Sequence, residues 1–215
     1  MKAKIALLLA TVLLTSCTQQ TSGGTGVYLL LDTSGTYSSE LKKAEQIINY
    51  TLSRLNSLDS FAVARIDTGS FSEKDILAKV TLDDRPSTAN LEKRQFSETV
   101  RQALAHVEPS AYTDITGGLL QAVEFLNEKQ PARKTIFIFS DLKEDLEKGY
   151  VRNIPLPLKG FEVVALNVTK LRSDNIDPRE YLGRLEQWRK RVEDGGGTWR
   201  VVNDLDRLEG LLSTT

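Results

Sequence analysis

The amino-acid sequence predicts an α/β fold, a mainly parallel sheet with helices on both faces. Three observations lead there. Strand-like and helix-like segments alternate along the chain, the pattern that builds parallel sheets through right-handed crossovers. Several strand segments are unbroken apolar runs, as expected where both faces of a strand are buried. The composition, 215 residues with 40% hydrophobic, 27% charged and a net charge of −1, suits one globular domain with a sizeable core.

The chain opens MKAKIALLLATVLLTSC. Lys2 and Lys4 make a basic start. Ile5 to Leu14 is an apolar run too short for a comfortable spanning helix and suited to a secretory signal. Leu14-Thr15-Ser16-Cys17 resembles the cleavage box of bacterial lipoproteins. The resemblance implies that residues 1–16 are a signal peptide removed on maturation, and that Cys17 is lipidated on its thiol and acylated on its amine. Two or three acyl chains anchor firmly where a single one is marginal. In such lipoproteins an Asp after the cysteine tends to hold the protein at the inner membrane, so Thr18 implies the outer membrane and an extracytoplasmic place in the bacterial cell envelope. An ordinary signal peptide or a short uncleaved anchor would make Cys17 incidental. Loss of Lys2 and Lys4 takes the net charge from −1 to −3. Residues 18–26, TQQTSGGTG, read as a flexible tether, and 27–215 as the folded domain.

Val27 to Leu31 is the first buried strand, bounded by Gly26 and Asp32-Thr33-Ser34-Gly35. Leu41, Ala44, Ile47, Ile48, Thr51, Leu52 and Leu55 then recur at helical spacing. Phe61 to Ile66 is a second strand. Ile76 to Leu82 alternates apolar and polar residues and reads as a half-exposed edge strand, followed by a turn-rich stretch, Asp83 to Pro86. Asn90 to Val107 is helical, with Leu91, Phe96, Val100, Leu104 and Val107 inward and Pro109 ending it. After a loop, Ser110 to Thr116, a helix runs from Gly117 to Leu126. Thr135 to Ser140 and Phe161 to Leu166 are further buried strands. Asp177, Pro178 and Glu180 open a helix as N-cap, first helical residue and capping-box partner, and Gly195-Gly196-Gly197 stops it. Tyr181, Leu182, Leu185, Trp188 and Val192 make its apolar stripe. Trp199 to Val202 is a last strand, and Leu205 to Leu212 a closing helix.

Composition narrows the chemistry. Lys and Arg number 28 against 29 Asp and Glu, so no basic excess is available for nucleic acid. The single cysteine excludes an internal disulfide and any multi-cysteine zinc or iron–sulfur site. The single histidine, His106, excludes a histidine metal cluster. What survives is chemistry built from oxygen ligands, or none. In parallel sheets ligands bind beyond the carboxyl ends of the strands, at the topological switch point. Three segments there carry oxygen donors: Asp32-Thr33-Ser34-Gly35-Thr36, Tyr112-Thr113-Asp114 and Ser140-Asp141. On an extended stretch, positions 32, 34 and 36 face one side. Two carboxylates with hydroxyls and waters suit Mg²⁺ better than a full Ca²⁺ cage.

DTSGT, the Thr of YTDITGGLL and the Asp closing IFIFSD resemble the metal-ion-dependent adhesion site of von Willebrand factor A domains, over roughly residues 27–212. The resemblance implies that Asp32, Ser34, Thr36, Thr113 and Asp141 hold Mg²⁺ or Mn²⁺, and that an acidic residue of a partner protein completes the coordination shell. It implies a Rossmann-like, doubly wound sheet of six strands in the order 3-2-1-4-5-6 with one antiparallel edge strand. Thr36 departs from the family's second serine but keeps the hydroxyl. Leu142 stands where a glycine often follows the last Asp. Tyr37, Tyr112 and Asp114 are expected on the rim as partner contacts.

Other readings stay open on the residues. Asp32 can be a turn former, Asp141 a helix cap. Glu144, Asp145 and Glu147 read as a solvated face, His106 as an ordinary helix residue, and Trp188 and Trp199 as packing. The chain is read as a binding module and not an enzyme. A structural subunit of an envelope complex without metal dependence is the alternative. An Mg²⁺-dependent phosphoester hydrolase would need a second carboxylate two residues after Asp32, where Ser34 stands.

Overall fold

The computed structural model describes residues 23–35, 37 and 40–203. The expected signal peptide, Cys17, Thr36 and the closing helix at 205–212 lie outside the described residues. Six strands, β1 (Thr25–Asp32), β2 (Ser60–Ile66), β3 (Ile76–Thr81), β4 (Arg133–Phe139), β5 (Phe161–Leu166) and β6 (Thr198–Val202), form one sheet in the order β3-β2-β1-β4-β5-β6. Every neighbouring pair is parallel except β2 with β3, which is antiparallel. The fold class, the strand order and the antiparallel edge strand are those expected.

Successive side chains of a strand point to opposite faces, and the two cores divide accordingly. Val27, Leu29 and Leu31 of β1 pack with α1 (Leu41–Arg54) and α2 (Pro86–Ala105) through Ile47, Ile48, Leu52, Phe96 and Val100. Tyr28 and Leu30 pack on the other face with α3 (Ile115–Lys129) and α4 (Pro178–Asp194) through Ile115, Leu119, Leu126, Trp188 and Val192. Because β1 is central and covered on both faces, its apolar run has no polar interruption.

Several boundaries moved for local reasons. β1 starts at Thr25, so Thr25 and Gly26 belong to the strand and not to the tether; the Thr25 N–H is held by the Asp59 carboxylate at 2.6 Å. α2 begins at Pro86, where the missing N–H costs nothing, and ends at Ala105, ahead of Val107. Its buried line is Ala89, Phe96 and Val100, and Leu91 is exposed. α3 begins two residues early because the Asp114 carboxylate caps it, accepting from the Gly117 N–H at 2.8 Å. Gly117 is needed there, since a Cβ would lie 2.3 Å from the Ser70 carbonyl oxygen. α4 opens as expected, with Asp177 accepting from the Arg179 N–H at 3.0 Å, but Leu182 is exposed.

The crossover from β4 to β5, residues 140–160, contains no helix. Buried Leu142, Leu156 and Leu158 cover the sheet there instead. Among the described residues no helix is long and apolar enough to cross a membrane.

Candidate metal centre

β1 and β4 are parallel neighbours with Leu31 opposite Phe139, so Asp32 and Ser140-Asp141 emerge side by side. β1 leads to β2 on one flank and β4 to β5 on the other, which makes this the switch point of the sheet. Asp32 is buried. Its Oδ1 accepts from the Ser34 N–H at 2.9 Å and its Oδ2 from the Ser140 hydroxyl at 2.6 Å. Ser34 forms an isolated bridge with Ser110, whose N–H donates to the Thr33 carbonyl at 3.0 Å. Thr113 is buried and exchanges two backbone hydrogen bonds with Asp145, at 2.7 and 3.0 Å.

Asp141 is buried too, its Oδ1 accepting from the Lys143 N–H at 2.8 Å. The next residue, Leu142, takes the left-handed conformation at φ 66°. That turn forms without glycine because the leucine side chain is buried and its carbonyl accepts from the Trp188 indole N–H at 3.0 Å. Arg184 reinforces the loop: its Nε donates to the Asp141 carbonyl oxygen while its terminal nitrogens clasp buried Asp174 at 2.7 and 2.8 Å.

Ser34, Thr113 and Asp141 line one cleft of about 300 Å³, together with Ser110, Lys143 and Asp145. Asp32 adjoins it through Ser34. Burial pushes the Asp141 carboxyl up, the nearby Asp32 charge adds to this, and the Lys143 N–H and Arg184 oppose it. Asp141 Oδ2 accepts no hydrogen bond from a described residue. Among the described residues no three His, Cys, Asp or Glu side chains converge, so a cation here would rest on two carboxylates and on hydroxyls. Two neighbouring buried carboxylates and flanking hydroxyls form a donor set of hard oxygens that fits a small dication.

Two of the expected rim residues are interior instead. Tyr37 is buried against Phe139, edge to face at 5.1 Å between ring centres. Its hydroxyl donates to the Asn167 carbonyl oxygen, which ties the loop after β1 to the end of β5. Asp114 is fully buried and spends its carboxylate on the α3 cap and on Arg152, whose terminal nitrogen approaches to 2.7 Å. Tyr112 is half-buried. Neither inward turn is set by local spacing, because the partners lie 130 and 38 residues away.

Arg152 and Glu144 are the residues that sequence reasoning missed. Glu144, taken for a solvated face, accepts from the Thr116 N–H at 2.7 Å and pairs with Arg191 at 3.1 Å. Arg152 also donates to the Ser70 carbonyl at 3.1 Å. Together they brace the first turn of α3, just after Thr113.

No protein-family model matches this sequence, and no curated protein does. Solved structures do resemble it. A von Willebrand factor type A protein from Catenulispora acidiphila superposes with a TM-score of 0.54 at 16% identity, over 88% of this chain and 41% of that one. The pilus adhesin SpaC from Lactobacillus rhamnosus GG superposes with a TM-score of 0.55 at 11% identity, over 90% of this chain and 30% of that one. This chain thus spans less than half the length of either. Identities this low speak for the fold alone, and that fold is the Rossmann-type sheet of von Willebrand factor A domains.

Proposed function

We propose that this chain is a lipid-anchored protein-binding module of the bacterial cell envelope, held by Cys17 at the outer membrane, that docks an acidic residue of a partner protein through Mg²⁺ or Mn²⁺. The observation that carries this reading is the cleft at the switch point, where Ser34, Thr113 and Asp141 meet beside Asp32. Asp32, Ser34, Thr36, Thr113 and Asp141 would hold the ion. Bound there, the ion supplies a Lewis-acidic docking point whose charge two carboxylates neutralise and whose open position takes an external carboxylate. The chain's own residues do the positioning. Ser140 and the Ser34 N–H orient Asp32, Lys143 orients Asp141, and the Thr113–Asp145 pairing fixes the Thr113 backbone. Lys143, exposed at the edge of the cleft, favours an anionic ligand.

The test is a Mn²⁺ titration of the full chain followed by electron paramagnetic resonance. It is paired with affinity capture from envelope extract in Mg²⁺ and in EDTA. One saturable Mn²⁺ site, lost in Asp32→Ala, together with a partner released by EDTA, is expected. Capture of the same partner unchanged in EDTA and by Asp32→Ala would refute the metal-dependent reading.

A further inference from the structure

The turn joining β2 to β3 reaches the metal cleft at Asp67, whose carboxylate accepts from the Ser110 hydroxyl at 2.6 Å. Its far end walls a second cleft, of about 240 Å³, against α3. Phe71 and Glu73 line one side, and Gln121, Glu124, Phe125 and Glu128 the other. The volume falls below the roughly 300–1,000 Å³ of cofactor and small-molecule pockets and is enough for one large side chain.

One polar side chain of this cleft, and one buried behind it, have no hydrogen-bond partner among the described residues. Gln121 is only 8% exposed, lines the cleft, and hydrogen-bonds to no described residue. Its amide keeps contact with solvent in the cleft, where a ligand's donor can replace water. The Tyr28 hydroxyl is buried and has no partner among the described residues. Its ring packs edge-on against Phe125 at 5.5 Å between centres, and the charges of Asp75 and Glu73 reach it.

The surroundings select for positive charge. Glu124 is exposed with no ion pair to a described residue. Glu73 and Glu128 meet only Lys79, at 3.1 Å, and Lys129, at 2.8 Å, in exposed pairs. Such pairs are screened and easily exchanged. The Lys129 ammonium lies 5.7 Å from the Phe125 ring centre, so an aromatic face of the cleft already attracts a cation. Phe71 is 52% exposed and offers a second face. Cations over aromatic rings are attracted by the ring quadrupole, and a guanidinium adds planar stacking and five donors.

We propose that this cleft receives an arginine side chain of a partner protein, its guanidinium lying on Phe71 and donating to the Gln121 amide oxygen and the Glu124 carboxylate. The site is separate from the metal centre and does not depend on it. An arginine there would give a partner a second, charge-opposite contact beside the one at the metal cleft, linked to it through the Asp67 turn.

The experiment is an NMR titration of the full chain in EDTA with N-acetyl-arginine amide, reading the Gln121 side-chain amide and the Phe71 ring. Saturable shifts at both, with millimolar affinity, are expected. The neutral isostere N-acetyl-citrulline amide should shift neither. Glu73→Gln with Glu124→Gln should weaken binding about tenfold, each charge pair being worth about threefold. Absence of saturation, an equal response to citrulline, or unchanged affinity in the double variant would overturn the site. Equal affinity for N-acetyl-lysine amide would overturn the guanidinium assignment. Because EDTA is present throughout, failure here is distinguishable from failure of the metal reading.

Discussion

Removing the Arg152 guanidinium should destabilise the domain strongly. Asp114 is fully buried, and its carboxylate faces Arg152 through Nε at 3.0 and 3.1 Å and a terminal nitrogen at 2.7 Å. Arg152→Ala leaves that charge with the Gly117 N–H alone. Breaking a buried pair from one side costs about 3–5 kcal/mol, a large share of a net stability of about 5–15 kcal/mol. At about 2–4 °C per kcal/mol for a domain of this size, the midpoint falls by about 6–20 °C. Asp114→Asn on the Arg152→Ala background keeps an oxygen for the Gly117 N–H and removes the stranded charge, and it should recover about 1–2 kcal/mol. Urea titrations of the wild type, both single variants and the double variant, followed by circular dichroism, complete the cycle. A loss below about 1 kcal/mol for Arg152→Ala, the range of an exposed pair, or no recovery in the double variant, would refute the reasoning.

Three further outcomes follow from the same geometry. Two hydrogen bonds from Arg184 hold the Asp174 carboxyl below the usual carboxylate range. Its contribution is therefore complete above the unfolded value, near 4, and is lost as pH falls through the depressed folded value. Asp174→Asn should flatten the decline of the urea midpoint between about pH 5 and pH 2.5; an unchanged slope speaks against it. Gly117→Ala should cost about 1–3 kcal/mol by overpacking, since the new methyl meets the Ser70 carbonyl oxygen at 2.3 Å, and a neutral result would mean that the 67–75 turn yields. Asp141→Asn should leave the metal-free protein folded while abolishing the rise in melting temperature on adding Mg²⁺; a rise equal to that of the wild type would place the ion elsewhere.

The architecture was legible because two signals agree. The runs at Val27–Leu31, Ile136–Phe139 and Val163–Leu166 are apolar without alternation, as a doubly covered sheet requires, and the alternating run at Ile76 marked the edge. The α4 start was legible for a local reason, since Asp177 and Pro178 act within one turn. The candidate site residues were named from a known pattern, and three of them, Ser34, Thr113 and Asp141, line one cleft. What did not show was the fate of polar residues with distant partners. Asp114 reads as a loop carboxylate until Arg152 arrives from the helix-free crossover, and Tyr37 reads as a rim tyrosine until Asn167 takes its hydroxyl.

The central place of β1 has a consequence for how the domain is presented. Thr25 opens the strand at one end of the sheet and Asp32 closes it at the cleft. Eight residues at about 3.3 Å each set the two ends roughly 25 Å apart. The chain therefore enters β1 at the pole opposite the cleft. On the lipid anchoring proposed above, a pull from that end would run along β1, through the two parallel ladders that flank it, and load their hydrogen bonds in shear, with the cleft at the far pole.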